Sequence, residues 1–442
     1  MRPQSTNTHL KLFIILILQT PFGITTTHYN SKAKTLTLPL KSQVISNGYL
    51  PRPPNKLRFH HNVSLTVSIT VGTPPQNVSM VIDTGSELSW LHCNNTTTNQ
   101  VTPHPFFSPT RSSSYSPIPC SSPTCTTRTR DFPIPASCDS NNLCHATLSY
   151  ADASSSEGNL ASETFGFGSS NSPNIVFGCM NSSFSSTTSD SDSNTTGLLG
   201  MNLGSLSLVS QLKIPKFSYC ISGSDFSGVL LLGASNFSWV GSLNYTPLVQ
   251  ISTPLPYFDR SAYTVRLKGI KVSDKLLNLS DTFFVPDHTG AGQTMFDLGT
   301  QFTFLLGPVY NVLKGEFINQ TNGTLRVLDD PNFVFQIAMD LCYQINGSGN
   351  FSGLPSVSLV FDGVEMRVSG EQLLYQVPGL VRGNDSVYCF TFGNSDLLGV
   401  ESFIIGHHQQ QNMWMEFDLV ESRVGLAHAQ CDLVGQRVLG LG

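Results

Sequence analysis

The chain has 442 residues, 39% of them hydrophobic and only 12% charged, about half the usual charged share. A net charge of −5 with no basic stripe speaks against nucleic acid as a partner, while the hydrophobic fraction suffices for real cores. Ten cysteines, at spacings such as Cys120-x4-Cys125 and Cys138-x5-Cys144, form no paired C-x2-C zinc knuckle, so disulfides are the better reading and no metal or cofactor is expected.

Residues 1–25 carry Arg2 and Lys11, the apolar run Leu12 to Leu18, and then Gly23. That is the layout of a secretory signal, and the run is short for a membrane span; an uncleaved anchor is the rival reading. The expected product is soluble, secreted or kept in the endoplasmic reticulum or vacuole. Sequons at Asn62, Asn77, Asn94, Asn181, Asn236, Asn278, Asn346 and Asn384 agree with that route. Residues 26–60 hold Lys32, Lys34, Lys41, Arg52, Lys56 and Arg58 and a Pro-rich patch at 51–54, and lack clear periodicity.

From His61 the pattern turns to short β runs. Ser64 to Val71 alternates, Gly72-Thr73-Pro74-Pro75 turns, and Asn77 to Ile82 leads into Asp83. Short strands punctuated by Gly, Pro and Asn continue to the end, with short helices predicted over Ser207–Leu212 and Val309–Asn319. The fold is therefore expected to be mostly β. Residues 93–144 hold Cys93, Cys120, Cys125, Cys138 and Cys144 among many Ser, Pro and Thr, so cross-links are needed to order them. Leu148 to Ser154 reads as a hairpin.

Two stretches organise the chain. Val81-Ile82-Asp83-Thr84-Gly85-Ser86 and Met295-Phe296-Asp297-Leu298-Gly299-Thr300 lie about half a chain apart. Both read apolar-apolar-Asp-x-Gly-(Ser/Thr): a strand runs into a tight turn that presents a carboxylate, and Gly supplies a conformation other residues resist. One copy would be a turn before an edge strand. Two copies with matching flanks point to chemistry. Carboxylates brought face to face cannot both ionise easily and share a proton. The ionised one can deprotonate a water and the protonated one can hydrogen-bond a carbonyl, which is general acid/base attack of water on an amide. Downstream, Thr196-Gly197-Leu198-Leu199-Gly200 is echoed by Phe403-Ile404-Ile405-Gly406 at a similar interval. The repeat has internal order, so two related lobes are expected, divided near 240–250.

Val71-Gly72-Thr73-Pro74-Pro75-Gln76, Asp83-Thr84-Gly85-Ser86, Trp90, Tyr150-Ala151-Asp152-Ala153-Ser154, Phe177-Gly178-Cys179, Gly197-Leu198-Leu199-Gly200, Phe217-Ser218-Tyr219-Cys220 and Gln409-Gln410-Gln411-Asn412-Met413 form a highly specific set. With them, the chain after about residue 60 resembles the pepsin-type aspartic proteases, specifically the plant branch that includes nepenthesin. The resemblance implies a bilobal pepsin-like acid protease fold, with pseudo-twofold-related β lobes over 61–243 and 244–442 and a cleft between them. It implies catalysis by Asp83 and Asp297, held in loops Thr84-Gly85-Ser86 and Leu298-Gly299-Thr300. Ser86 and Thr300 would bond the outer carboxylate oxygens. Tyr150 and Asp152 would belong to a flap over the cleft, with Trp90 in support. It also implies that 26–60 is a propeptide, that 93–144 is a Cys-rich insertion lacking one familiar bridge near Cys93, and that Cys342–Cys389 and Cys220–Cys431 pair. Cys179 completes the disulfide candidates. The implied activity is endopeptidase, acting on polypeptide with an acid optimum, in a monomer without a stable membrane span.

Two departures stand out. The family has Ser or Thr where Leu298 stands, a hydroxyl that bonds across the twofold axis, so a less rigid dyad is expected. Gly406 is followed by His407-His408 rather than Asp or Asn, which suggests a structural or pH-sensing role rather than a metal, for want of partners at ligand spacing. The competing reading is a binding or inhibitory protein on the same fold, as in plant xylanase inhibitors; an intact Asp83–Asp297 pair argues for the enzyme. A Ser or Cys hydrolase has little support, since no Gly-x-Ser-x-Gly elbow appears and the cysteine count is even.

Overall fold

The strand Val63–Val71 alternates buried and less buried positions, as its sequence requires, and Gly72 at φ +94 turns it into the antiparallel partner Gln76–Asp83. These elements belong to a computed structural model that describes residues 35–44, 63–94, 105–150, 154–168, 172–184, 195–223, 227–234, 241–347, 351 and 353–440. The expected signal at 1–25, most of the 26–60 segment, Asp152, Asn62 and Asn236 lie outside the described residues.

The architecture is mostly β, and each half carries the same knot. In the first, Gly197–Gly200 runs parallel to Gln76–Asp83, with Gly200 opposite Asp83, and antiparallel to Trp90–His92. In the second, Ser402–Gly406 runs parallel to Gln293–Asp297, with Gly406 opposite Asp297, and antiparallel to Thr303–Leu305. The paired apolar-Gly echo thus lies directly beside each Asp strand. Glycine is required there: a Cβ on Gly200 would stand 2.5 Å from the Glu87 carbonyl oxygen, and one on Gly406 would stand 2.2 Å from that of Phe302.

Between the halves runs a shared antiparallel sheet in the order Asn244–Pro247, Arg423–His428, Met413–Asp418, Lys216–Ile221, Gly228–Leu232. Its next strand is Leu36–Val44, inside the segment the family resemblance assigns to a propeptide. Leu36–Leu40 pairs with 228–232 and Lys41–Val44 with 63–66, burying Leu38 and Leu40. One face of this sheet meets the main core through Phe217, Tyr219, Met415 and Phe417; the other carries Cys220, Val229, Leu231 and Trp414 under the helix Cys431–Leu439.

The predicted helices form as Leu208–Gln211, capped by Ser207, and Gly307–Thr321. The longer one buries Val309, Tyr310, Leu313, Phe317 and Thr321 on one stripe, and Asp396 accepts its first N–H, from Gly307, at 3.0 Å. All ten cysteines are paired. Cys120–Cys138 and Cys125–Cys144 tie the insertion to itself, Cys93 reaches Cys179, and Cys220–Cys431 and Cys342–Cys389 close the later chain. Among the described residues no helix is long and apolar enough to cross a membrane.

Candidate active site

Each aspartate ends a buried strand and is caught at once by its own loop. Gly85 N–H donates to Asp83 Oδ1 at 2.7 Å and Ser86 Oγ donates to Asp83 Oδ2 at 2.5 Å. The second loop repeats this: Gly299 N–H donates to Asp297 Oδ1 at 2.9 Å and Thr300 Oγ1 to Asp297 Oδ2 at 2.6 Å. The loops also cross. A Cβ on Gly299 would stand 2.4 Å from Asp83 Oδ1, and one on Gly85 3.1 Å from Asp297 Oδ1. The glycines are needed because each backbone packs on the other half's carboxylate.

The two carboxyls face one another, each against the glycine of the other's loop. Asp83 is only 7% exposed, and burial, reinforced by the charge of Asp297, pushes its carboxyl up to about 7 against the bonds from Ser86 and Gly85. Asp83 therefore keeps its proton through the acid range. A bound water between the two carboxyls would meet a donor and an acceptor together.

The cross-axis grip is one-sided. Thr84 Oγ1 accepts the Leu298 N–H at 2.8 Å and lies 3.5 Å from Asp297 Oδ1. Leu298 has no oxygen to return the bond. Its side chain is 1% exposed within the main core, so apolar packing fills the place expected for a small hydroxyl residue.

The hairpin expected as a flap joins Cys144–Ser149 to Ser155–Gly166, and Tyr150 N–H donates to Ser154 O at 3.0 Å across its tip. Trp90 Nε1 donates to the Tyr150 hydroxyl oxygen at 2.5 Å, so the indole supports the phenol by a hydrogen bond.

His407 and His408 are both buried. Their backbone N–H groups donate to Thr300 O and Gln301 O, each at 2.8 Å, which braces the second Asp loop from behind. The His408 ring contacts Gln372 O through Nε2 at 2.9 Å and packs on Phe302 and Tyr375; burial pushes it down to about 4. Among the described residues no three His, Cys, Asp or Glu side chains gather as a metal site would require.

Sequence reasoning passed over Glu87, Met201, Tyr263 and the role of Gln410. Glu87 Oε1 accepts the Leu206 N–H at 2.8 Å and folds against Gly204, tying the first Asp loop to the 202–206 turn. Gln410 bridges the Tyr219 hydroxyl to Ile405 O. Its only sequence signal is the polar run His407–Asn412, set between the apolar stretches 403–405 and 413–415.

Residues 65–234 match a family model described as xylanase inhibitor N-terminal, and residues 262–428 one described as xylanase inhibitor C-terminal. Aspartic proteinase PCS1 of Arabidopsis thaliana is 66% identical over 415 residues, spanning 92% of this chain and 90% of that protein. Aspartic proteinase nepenthesin-1 of Nepenthes gracilis is 35% identical over 373 residues, spanning 83% and 77%. The crystal structure of edgp superposes with a TM-score of 0.63 at 20% identity, over 91% of this chain and 96% of that one, a likeness of fold alone.

Proposed function

The chain belongs to the plant pepsin-like aspartic proteases, and on that premise we propose that Asp83 and Asp297 hydrolyse peptide bonds directly through a shared water. It is an aspartic endopeptidase. Asp297 takes a proton from the water as its oxygen bonds to the peptide carbonyl carbon, and Asp83 gives its proton to the carbonyl oxygen. The resulting gem-diol collapses when Asp297 passes its proton to the amide nitrogen and Asp83 takes one back from a hydroxyl, so the C–N bond breaks and both carboxyls return to their starting state.

The observation that carries this reading is the matched cradle: each carboxyl holds one Gly N–H and one hydroxyl from its own loop, and each loop's glycine packs on the other carboxyl. A binding protein on the same fold has no need of it. Tyr150, oriented by Trp90, closes over an extended polypeptide whose backbone bonds to the flap hairpin. The chain acts as a monomer in the secretory pathway, with glycans at exposed sequons such as Asn278 and Asn384. Processing that spares the shared sheet cuts before Thr35.

The test is cleavage of an unfolded protein from pH 3 to 7 by the wild type and by Asp83→Asn, with and without pepstatin. Acid-side cleavage lost in the variant and blocked by pepstatin supports the two-carboxyl mechanism. Cleavage by Asp83→Asn at the wild-type rate refutes it, and no cleavage under any condition favours the binding protein.

A further inference from the structure

The two Asp loops repeat the cradle of each carboxyl but not the contacts across the axis. Thr84 receives the Leu298 N–H, and Leu298 returns nothing. A loop pair joined on one side is free to slide on the other, yet catalysis needs the carboxyls held within fractions of an ångström.

Another link stands beside them. The strand Tyr263–Val265 pairs with Gln293–Asp297, Tyr263 opposite Phe296, the residue before Asp297. The Tyr263 phenol is fully buried, with Phe217 at 5.6 Å and Phe417 at 4.7 Å set edge-on to its ring. Its hydroxyl donates to Met201 O at 2.6 Å. Met201 N–H in turn donates to Asp83 O at 2.8 Å. A buried path therefore runs from the Asp83 carbonyl through the Met201 peptide and the Tyr263 phenol to the Asp297 strand. On the other side of that strand, Ile405 faces Phe296, and the Ile405 carbonyl accepts Gln410 Nε2 at 2.8 Å, whose amide oxygen accepts the buried Tyr219 hydroxyl. The second aspartate is thus flanked on both sides by phenols that bind it to the first half.

We propose that the Tyr263 hydroxyl is a positioning group for peptide hydrolysis, a strut that supplies beside the dyad the cross-axis link Leu298 cannot supply within it. The inference rests on the aspartic peptidase reading. Removing the hydroxyl leaves the ring packing intact and strands a buried carbonyl, so the Met201 peptide, and the Asp83 carbonyl bonded to it, lose their fixed distance from the Asp297 strand. A merely structural phenol would cost stability alone.

The test uses the full chain and a fluorogenic peptide, with kcat, KM, the alkaline limb of the pH profile and the urea midpoint read for each variant. Tyr263→Phe is expected to lower kcat about tenfold with KM nearly unchanged and to move the alkaline limb, because carboxyl spacing sets both. Leu298→Thr in the Tyr263→Phe background is expected to restore most of the rate lost by Tyr263→Phe, as two coupled sites in a double-mutant cycle should. Tyr219→Phe serves as the second variant if Tyr263→Phe does not fold, with a smaller loss in the same direction. A lower urea midpoint with unchanged kcat and pH limb, or a kcat loss that Leu298→Thr leaves untouched, overturns the strut. Asp83→Asn is run alongside: retained activity there refutes the peptidase mechanism itself.

Discussion

A chain beginning at residue 61 is expected not to fold, whereas one beginning at residue 35 is. The perturbation removes Leu36–Val44, which pairs with both 228–232 and 63–66 and fills a slot in the interior of the shared sheet. Leu38 and Leu40 are 4% and 2% exposed, and truncating a buried Leu to Ala costs about 2–5 kcal/mol each. Adding the lost ladder bonds at about 1 kcal/mol apiece makes the total comparable to the whole stability of a domain, about 5–15 kcal/mol. Leu40→Ala offers a graded version, with a loss of about 3 kcal/mol. Urea unfolding followed by tryptophan fluorescence is a suitable assay, because Trp414 is fully buried in the cluster that includes Val229 and Leu231. An equal urea midpoint and equal peptidase activity for the chains starting at 35 and 61 would refute the reasoning and return Leu36–Val44 to a dispensable leader.

Other expectations follow from single groups. Asp83, raised from 3.8 to about 7 by burial, binds a proton in the folded state that the unfolded chain releases, so stability falls as pH rises from about 4 to 7, by roughly 4 kcal/mol in all. Asp83→Asn should then raise the melting temperature at pH 7.5 and leave it unchanged at pH 3.5, as calorimetry at the two pH values would register. His408 has the opposite slope. Lowered from 6.5 to about 4, it resists a proton the unfolded chain accepts, so stability falls as pH drops from about 6.5 to 4. His408→Gln keeps a donor toward Gln372 O and should melt higher than wild type at pH 4 and no higher at pH 7.5; a gain at both would assign the effect to packing. Trp90→Phe removes the N–H held by Tyr150 and should lower kcat/KM about fivefold, the worth of one hydrogen bond near 1 kcal/mol, without unfolding the chain.

The Asp-x-Gly repeats and their apolar-Gly echoes were legible because each is local: a strand, a turn and the side chain it presents lie within a few residues. The mostly β fold and the two helices follow from the same short-range patterns. What was not legible depends on partners far along the chain. Leu36–Val44 is a strand, but its mates lie at 228–232 and 63–66, and the basic residues around it read as a leader. Cys93 finds Cys179 only because Trp90–His92 and Asn174–Phe184 are parallel neighbours in the sheet. Tyr263 carries no motif; its importance arises from Met201 meeting it across the axis.

The repeat also explains why two nearly identical loops do different work. Each carboxyl receives one Gly N–H and one hydroxyl from its own loop, and Asp297 takes a further hydroxyl, from Thr84 at 3.5 Å, so Asp83 is the less well bonded of the two. Burial adds to the difference. Asp83 is almost wholly enclosed, with the Gly299 backbone packed on its carboxyl, while Asp297 is only partly covered. Charge is therefore costlier on Asp83, which favours a proton there. Leu298 fits this division. A second hydroxyl would have made the loops more alike, whereas a buried leucine keeps the Thr84 bond, removes its mirror image and leaves the spacing of the dyad to groups outside the motif. The symmetry of the fold brings the carboxyls together, and departures from that symmetry assign their roles.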